Sequence, residues 1–504
     1  MQSLFGLNSS KEDYSIKYNM DYYIGIDIGT TSTKAVAFSA TGEILAHHSI
    51  GYPITHPQEN QSEQQPDKML EAVIDCLTDI AVQLAEHTPV LVSFSTAMHS
   101  LILMDEKGNT LTDSIIWADN RASELADILK KTEKGKGFYH ATGVPIHAMS
   151  PFCKICWFKE NEPTLFYNSA KFIGIKEFIF YRLFGKYIID TAIASATGLL
   201  NIHLLQWEDS ILAHAGVEKK QLSVIVPTTH VEYLQPNNAN NLTERLHAFK
   251  QTAFVIGSSD GGLANLGNGA TVAGSMAITI GTSSAVRVVT KQAITDKHMR
   301  TFCYHLSGEQ YIMGGASNNG AKVLQWLKEE ILQNNGPFES FFNTAETIAP
   351  GSDNLLLLPY ILGERAPLWN SNARGVYWGL DINHTTAHLV RAAMEAVVYN
   401  TFAIGKILME KNKVDTIYAN GGFTDTGFWV QMLADTFNLP VVVPVIEECS
   451  AFGAVMIGME ALKIPATFNL PAGKQYQPNA ANHEIYLRQC AKMERLYELV
   501  KNEF

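Results

Sequence analysis

One short motif occurs twice in the chain and limits the folds open to it: Ile26-Asp27-Ile28-Gly29-Thr30-Thr31-Ser32, then Thr279-Ile280-Gly281-Thr282-Ser283-Ser284. Gly29 and Gly281 stand 252 residues apart, half of the 504-residue length. Each copy is a β-branched run entering a Gly-hydroxyl turn, followed by a second strand-like run, Lys34 to Ser39 or Ala285 to Thr290. Glycine lets the backbone approach an anion closely, and successive N–H groups with Thr and Ser hydroxyls can donate to phosphate oxygens. Two such hairpins facing each other can grip the phosphates of one nucleotide between two similar lobes. The sequence therefore predicts a duplicated, two-lobed α/β phosphotransferase.

Composition bounds the partners. Length alone suggests two to four domains, and the doubled motif selects two large lobes. An apolar content of 46% suffices for full-sized cores. The net charge of −12 argues against a nucleic-acid or anionic-membrane partner, which would need a basic surface. No transmembrane helix is expected, because no apolar stretch approaches about 18 residues. Six scattered cysteines suit a reduced, cytoplasmic setting. Cys153 and Cys156 form one CxxC, but without a second pair or suitably spaced histidines it reads as helix packing rather than a metal site.

The halves repeat one order of elements. In the first, a hairpin around Ala40-Thr41-Gly42 is followed by a helical pattern (Met69, Leu70, Val73, Ile74, Leu77, Ile80, Ala81, Leu84). A strand from Val90 to Phe94 then ends in Ser95-Thr96-Ala97-Met98-His99-Ser100. In the second, a helix bearing Leu389, Val390, Ala393, Met394, Val397 and Val398 precedes a strand, Thr416 to Ala419, that ends in Asn420-Gly421-Gly422-Phe423. The first strand end offers a polar pocket wall; the second offers bare backbone on which a base and ribose can lie. The expected organisation is an extension at 1–20, an acceptor-binding lobe at 21–267 and a nucleotide-binding lobe at 268–504. The break falls near Leu266 to Thr271, where Gly267-Asn268-Gly269 interrupts the pattern. Pro471 to Asn479 reads as a surface loop, and a last helix from about His483 to Val500 as packing on the second lobe.

Several residues carry candidate chemistry. Asp27 lies within an apolar strand, where a carboxylate is costly to bury unless it is paired or near a metal; it can hold waters of a Mg²⁺ ion or cap its own turn. Asp260, in Gly257-Ser258-Ser259-Asp260-Gly261-Gly262, is either a helix cap or a general base toward a substrate hydroxyl. His99 can hydrogen-bond a polyol or be a satisfied core histidine. Trp117, Asp119 and Arg121 alternate along Ser114 to Arg121 and share one side if that stretch is extended; they form a sugar-binding set or a surface ion pair. Arg121 is also a candidate for an anionic substrate group.

These motifs resemble the FGGY carbohydrate kinases, within the actin and hexokinase-like ATPase superfamily, over about residues 22–465. The first family signature is similar to Met149-Ser150-Pro151-Phe152-Cys153-Lys154-Ile155-Cys156-Trp157-Phe158-Lys159-Glu160-Asn161. The second is similar to Gly375-Val376-Tyr377-Trp378-Gly379-Leu380, then, after a spacer, His388-Leu389-Val390-Arg391-Ala392-Ala393-Met394-Glu395. The resemblance implies two RNase H-like lobes around a cleft, with ATP and Mg²⁺ as cofactors. It implies Asp27 as the acid near magnesium and Asp260 as the base, with Gly261 beside it at the substrate. Gly29, Thr30, Thr31 and Ser32 would form one phosphate loop and Gly281, Thr282 and Ser283 the other. Asn420, Gly421, Gly422 and Thr426 would line the adenosine segment, and Met98-His99 would contact substrate. At Ala321, in Asn318-Asn319-Gly320-Ala321, relatives often carry glycine.

Ile188 to Leu199, Gly363-Glu364-Arg365-Ala366-Pro367-Leu368-Trp369, and Gly421-Gly422-Phe423 with Gln431 to Asp435 look most like gluconate kinases, whereas Met98-His99 is shared with xylulose kinases. The partners this implies are ATP and a small sugar or sugar acid, with a homodimer as a possible assembly. An actin-like or chaperone-like ATPase switch is the alternative of a different class.

Overall fold

The computed structural model describes residues 20–235, 242–446, 448–465, 468 and 473–504. The expected extension, apart from Met20, and the start of the expected loop at Pro471 lie outside the described residues.

Two mixed sheets organise the chain. The first contains β1 (Asp21–Ile28), β2 (Ser32–Phe38), β3 (Ile44–Gly51), β4 (Thr88–Thr96), β5 (Val231–Glu232) and β6 (Ala253–Ser259), in the order β5-β6-β4-β1-β2-β3. The second contains β7 (Ser275–Ile280), β8 (Ser284–Thr290), β9 (Phe302–Ser307), β10 (Gln310–Ser317), β11 (Thr416–Asn420), β12 (Val441–Val443) and β13 (Lys474–Tyr476). Its order is β9-β10-β8-β7-β11-β12-β13. Both centre on the same device: a hairpin, β1–β2 or β7–β8, whose first strand also pairs parallel with a later strand, β4 or β11. This is the duplicated RNase H-like arrangement. The doubled Gly turn is thus the tip of the central hairpin in each lobe.

Each sheet buries apolar residues against helices. In the first lobe α1 (Pro66–Gln83) lays Val73 and Leu77 over Ile24, Ile26 and Phe94. In the second α2 (Thr386–Met409) packs Val390, Val397 and Val398 with Ile278, Ile280 and Ile417. The last helix, α3 (Ala480–Val500), joins that core through Tyr486, Met493 and Leu496.

Two features differ from the sequence expectation. By length and composition alone α2 could cross a membrane, but 83% of its most apolar window is buried within the protein, as in the core helix of a large lobe. Helix α4 (Cys449–Ala461) belongs by position to the second half, yet Ala451, Phe452, Val455 and Met459 pack on Tyr23, Val36, Phe38 and Leu91 of the first sheet. A helix apolar on nearly all faces needs a second layer to cover it, and here the other lobe supplies that layer.

Candidate active site

Three connected spaces run through the cleft. The central one, about 710 Å³, is lined by Asp27, Asp260, Gly261 and Arg287 on one side and by Asn420, Gly421, Gly422 and Asp425 on the other. A smaller space, the chamber expected to take the acceptor, about 220 Å³, shares Asp260 and Arg287 with it and adds Thr30, Met98, His99, Trp117 and Ser283. A third space, about 760 Å³, shares Gly422 and Asp425 and adds Thr282, Ala321, Gln325, Phe342, Thr426 and Trp429. Asp260 thus stands at one junction and Gly422 at the other.

Local backbone chemistry sets both junctions. Gly257, at φ 70°, lies where the β6–β4 register shifts between Val255 and Ser258, and a Cβ there would come within 1.9 Å of the Phe94 carbonyl oxygen. Pairing resumes at Ser258 and Ser259, and Ser259 then caps α5 (Asp260–Gly267), whose first residue is Asp260. At the other junction Gly421, at φ 99°, lies so close to Ile280 that a Cβ would stand 2.5 Å from its carbonyl oxygen. Side chains are excluded there by the backbone itself.

The two aspartates face one another electrostatically. Asp27 accepts a hydrogen bond from Ser95 Oγ at 2.7 Å. Burial, reinforced by the negative charges of Asp260 and Glu448, pushes its carboxyl up to about 6. Burial raises Asp260 as well, against the opposing pull of Arg287 and of the Gly261 amide, which donates to Oδ1 at 2.6 Å. Glu448, held by Lys34 at 2.7 Å, lines the same space, but among the described residues no three His, Cys, Asp or Glu side chains are grouped closely enough to hold a metal ion by themselves. Without a cation beside it Asp27 is expected to titrate at about 6, well above an ordinary aspartate, which a carboxyl NMR titration in the absence of divalent ions would read directly.

The acceptor chamber is held rigidly. His99 adopts a left-handed backbone, φ 71°, sustained from two sides. The Lys154 ammonium donates to its carbonyl at 2.7 Å, and its own Nδ1 donates to the Ala196 carbonyl at 2.9 Å. Burial and the nearby cations depress its pKa to about 3, so the ring is neutral and its Nε2 is an acceptor beside Tyr304. Trp117 donates from Nε1 to Thr30 Oγ1 at 2.9 Å, tying the chamber wall to the first Gly turn.

Asp119 and Arg121 lie elsewhere. The strand there covers only Ser114–Ile115, so the alternation expected from an extended Ser114–Arg121 does not hold. Beyond it the chain turns: the Asp119 amide donates to the Ile116 carbonyl at 3.1 Å. Arg121 is buried and engaged by Asp119 and Glu63, while Asp119 also accepts from the Ser62 amide. Neither lines the acceptor chamber. Cys153 and Cys156 are buried in the helix Pro151–Asn161 and are free thiols.

Other lining residues were not picked out from the sequence as candidate site residues: Arg287, Tyr304, Arg365 and Trp369 in the acceptor chamber, and Gln325, Phe338 and Trp429 in the third space. For Arg287 a signal existed, a lone charge within the strand Ser-Ala-Val-Arg-Val-Val-Thr, of the kind that marked Asp27. Tyr304 comes from β9, Arg365 and Trp369 from the motif Gly363 to Trp369, and Gln325, Phe338 and Trp429 from separate helices; no local pattern marks any of these side chains as facing a cavity.

The chain matches known proteins over most of its length. Residues 22–267 match the model of the FGGY family of carbohydrate kinases, N-terminal domain, and residues 276–462 the C-terminal domain of the same family. A gluconokinase of Bacillus licheniformis is 42% identical over 87% of both chains. A gluconate kinase from Lactobacillus acidophilus superposes with a TM-score of 0.91 at 32% identity, over 96% of this chain and 98% of that one. A ligand-bound xylulose kinase from the same organism gives the same TM-score and identity, over 96% and 99%.

Proposed function

The chain belongs to the FGGY family of carbohydrate kinases, and on that premise we propose that it transfers the γ-phosphoryl group of ATP to the terminal hydroxyl of gluconate, giving 6-phosphogluconate. The observation that carries the mechanism is the position of Asp260, shared by the acceptor chamber and the central space. A hydroxyl in the chamber can give its proton to the Asp260 carboxylate while its oxygen turns toward a phosphate in the central space. Burial raises the proton affinity of Asp260, which suits a base at neutral pH.

The same reading assigns the remaining roles. The turns Gly29–Ser32 and Gly281–Ser283 are the phosphate-gripping elements. Asn420, Gly421, Gly422, Thr426 and Ala321 are placed for the nucleoside; the Ala321 amide donates to the Gly281 carbonyl at 2.7 Å, linking nucleoside wall to phosphate turn. Asp27 is the residue that would hold Mg²⁺, which when bound neutralises charge on the phosphates. His99 accepts a substrate hydroxyl at Nε2. Replacing it by Phe should raise KM for the acceptor by about tenfold with a smaller effect on kcat, the size expected for one buried hydrogen bond. Asp119, Arg121 and Glu63 brace the wall that carries Trp117 and do not touch the acceptor.

Xylulose is the second acceptor, supported by the equal fit of the xylulose kinase structure and by Met98-His99. A coupled assay of ADP release with gluconate, xylulose, ribulose and glycerol decides between them. Gluconate should give the largest kcat/KM; a large preference for xylulose would move the chain to the other substrate while leaving the role of Asp260 intact.

A further inference from the structure

The protein pairs its deeply buried guanidinium groups with carboxylates. Arg121 is held by Asp119 and Glu63, and Arg391 by Glu395 at 2.6 Å. Lys176 likewise meets Asp190 at 2.8 Å. Two cations in the acceptor chamber depart from this. Among the described residues Arg287 has a single long hydrogen bond, from Nη1 to Thr279 Oγ1 at 3.5 Å. Arg365 donates from Nη2 to the Ser317 carbonyl at 3.3 Å, and its buried Nε has no partner among the described residues. Glu364 is the main negative charge acting on Arg365 but makes no salt bridge to it, because its oxygens accept from Ser317, Asn319, Asn400 and the Asn318 and Arg365 amides.

The chamber therefore holds two guanidiniums against one carboxylate, Asp260, among its described lining residues. Arg287 weakly disfavours the charge of Arg365, and both cations act on Tyr304, which lines the same chamber. The Arg365 guanidinium carbon lies over the indole of Trp117, 4.8 Å from its centroid, which holds the group against the chamber wall. Arg287 lies against Gly261, where a Cβ would come within 2.9 Å of Nη2; the glycine leaves room for the guanidinium. A further unpartnered donor, Ser284 Oγ, lines the same space. Asp260 and Glu364 offset the charge of the two arginines without hydrogen-bonding their forks, which leaves N–H donors short of acceptors. Planar guanidiniums with free N–H groups match a carboxylate, whose two oxygens accept parallel hydrogen bonds.

We propose that Arg287 and Arg365 form a two-guanidinium clamp for the carboxylate of the acceptor, and that this clamp selects a sugar acid over an uncharged sugar of the same length. The proposal rests on the sugar-acid kinase reading above, and names the residues that discriminate within it.

The test compares gluconate with sorbitol, the uncharged polyol of equal carbon number, in the wild type and in Arg287→Met and Arg365→Met. Steady-state kinetics and calorimetric binding of each acceptor are read side by side. Each substitution should lower the gluconate-to-sorbitol ratio of kcat/KM by about 30-fold or more, mainly through KM for gluconate, because the substrate carboxylate loses a buried charged partner. If a Met variant does not fold, the Lys variant at that position keeps charge and bulk; a compact ammonium presents no fork, so the ratio should still fall by about tenfold. A wild-type preference for gluconate that survives either substitution removes the clamp and leaves the gluconate reading standing. A wild type that prefers xylulose removes both.

Discussion

An Asp260→Asn variant is expected to bind gluconate and ATP with near-native affinity while kcat falls by about 10³-fold, the scale of a lost general base. The amide is isosteric with the carboxylate, and its oxygen can still accept from the Gly261 amide that now donates to Oδ1. What it cannot do is take a proton. Nor can it balance Arg287, whose proton affinity is lowered by burial and restored chiefly by Asp260. Calorimetric binding together with single-turnover phosphoryl transfer separates these effects. If the amide variant turns over like the wild type, Asp260 serves only as the first residue of its helix, and the hydroxyl must lose its proton elsewhere.

Much of the fold was legible because the signals were local. A β-branched run entering Gly-Thr specified each central hairpin, and period-3.6 apolar residues from Met69 to Ile80 specified the helix Pro66–Gln83. Local strain was less legible: nothing in Ser95 to Ser100 announces that His99 takes a left-handed backbone, since that conformation depends on Lys154 reaching it from a distant helix. The alternation at Trp117, Asp119 and Arg121 misled for a related reason. Period 2 reports a shared face only in extended chain, and here the Glu63 and Ser62 contacts draw Asp119 and Arg121 inward after a turn. Arg365 illustrates the remaining limit. The segment Gly363 to Trp369 was visible as a motif, but that its guanidinium lacks a carboxylate is a fact of three dimensions.

Gly453→Ala is expected to lower kcat by about 100-fold, since an approximately 1 Å displacement of a reacting group costs that much. The crossing helices explain why so small a change acts so far. At Gly453 an added Cβ would lie 2.1 Å from the Leu263 carbonyl oxygen, and at Gly267 one would lie 2.0 Å from that of Cys449. Gly25 on β1 meets Ala451 equally closely, so α4 is fitted against both α5 and the first sheet by backbone contact on two sides. A methyl at 453 has no flexible side chain to push aside; α4 and α5 must part by about 1 Å in an interior packed at crystal-like density. Asp260 begins α5, and its carbonyl accepts from Ser450 Oγ at 3.4 Å across the crossing, so separation of the helices tilts the base away from the acceptor. Overpacking of this kind also costs up to about 3 kcal/mol, which a lowered melting temperature would register. Gly137→Ala is the matched control, because it too is helical and a Cβ there meets nothing within 4 Å. Wild-type kcat and melting in Gly453→Ala would mean that the crossing yields without moving Asp260, and that the two lobes are coupled less tightly than their backbone contacts require.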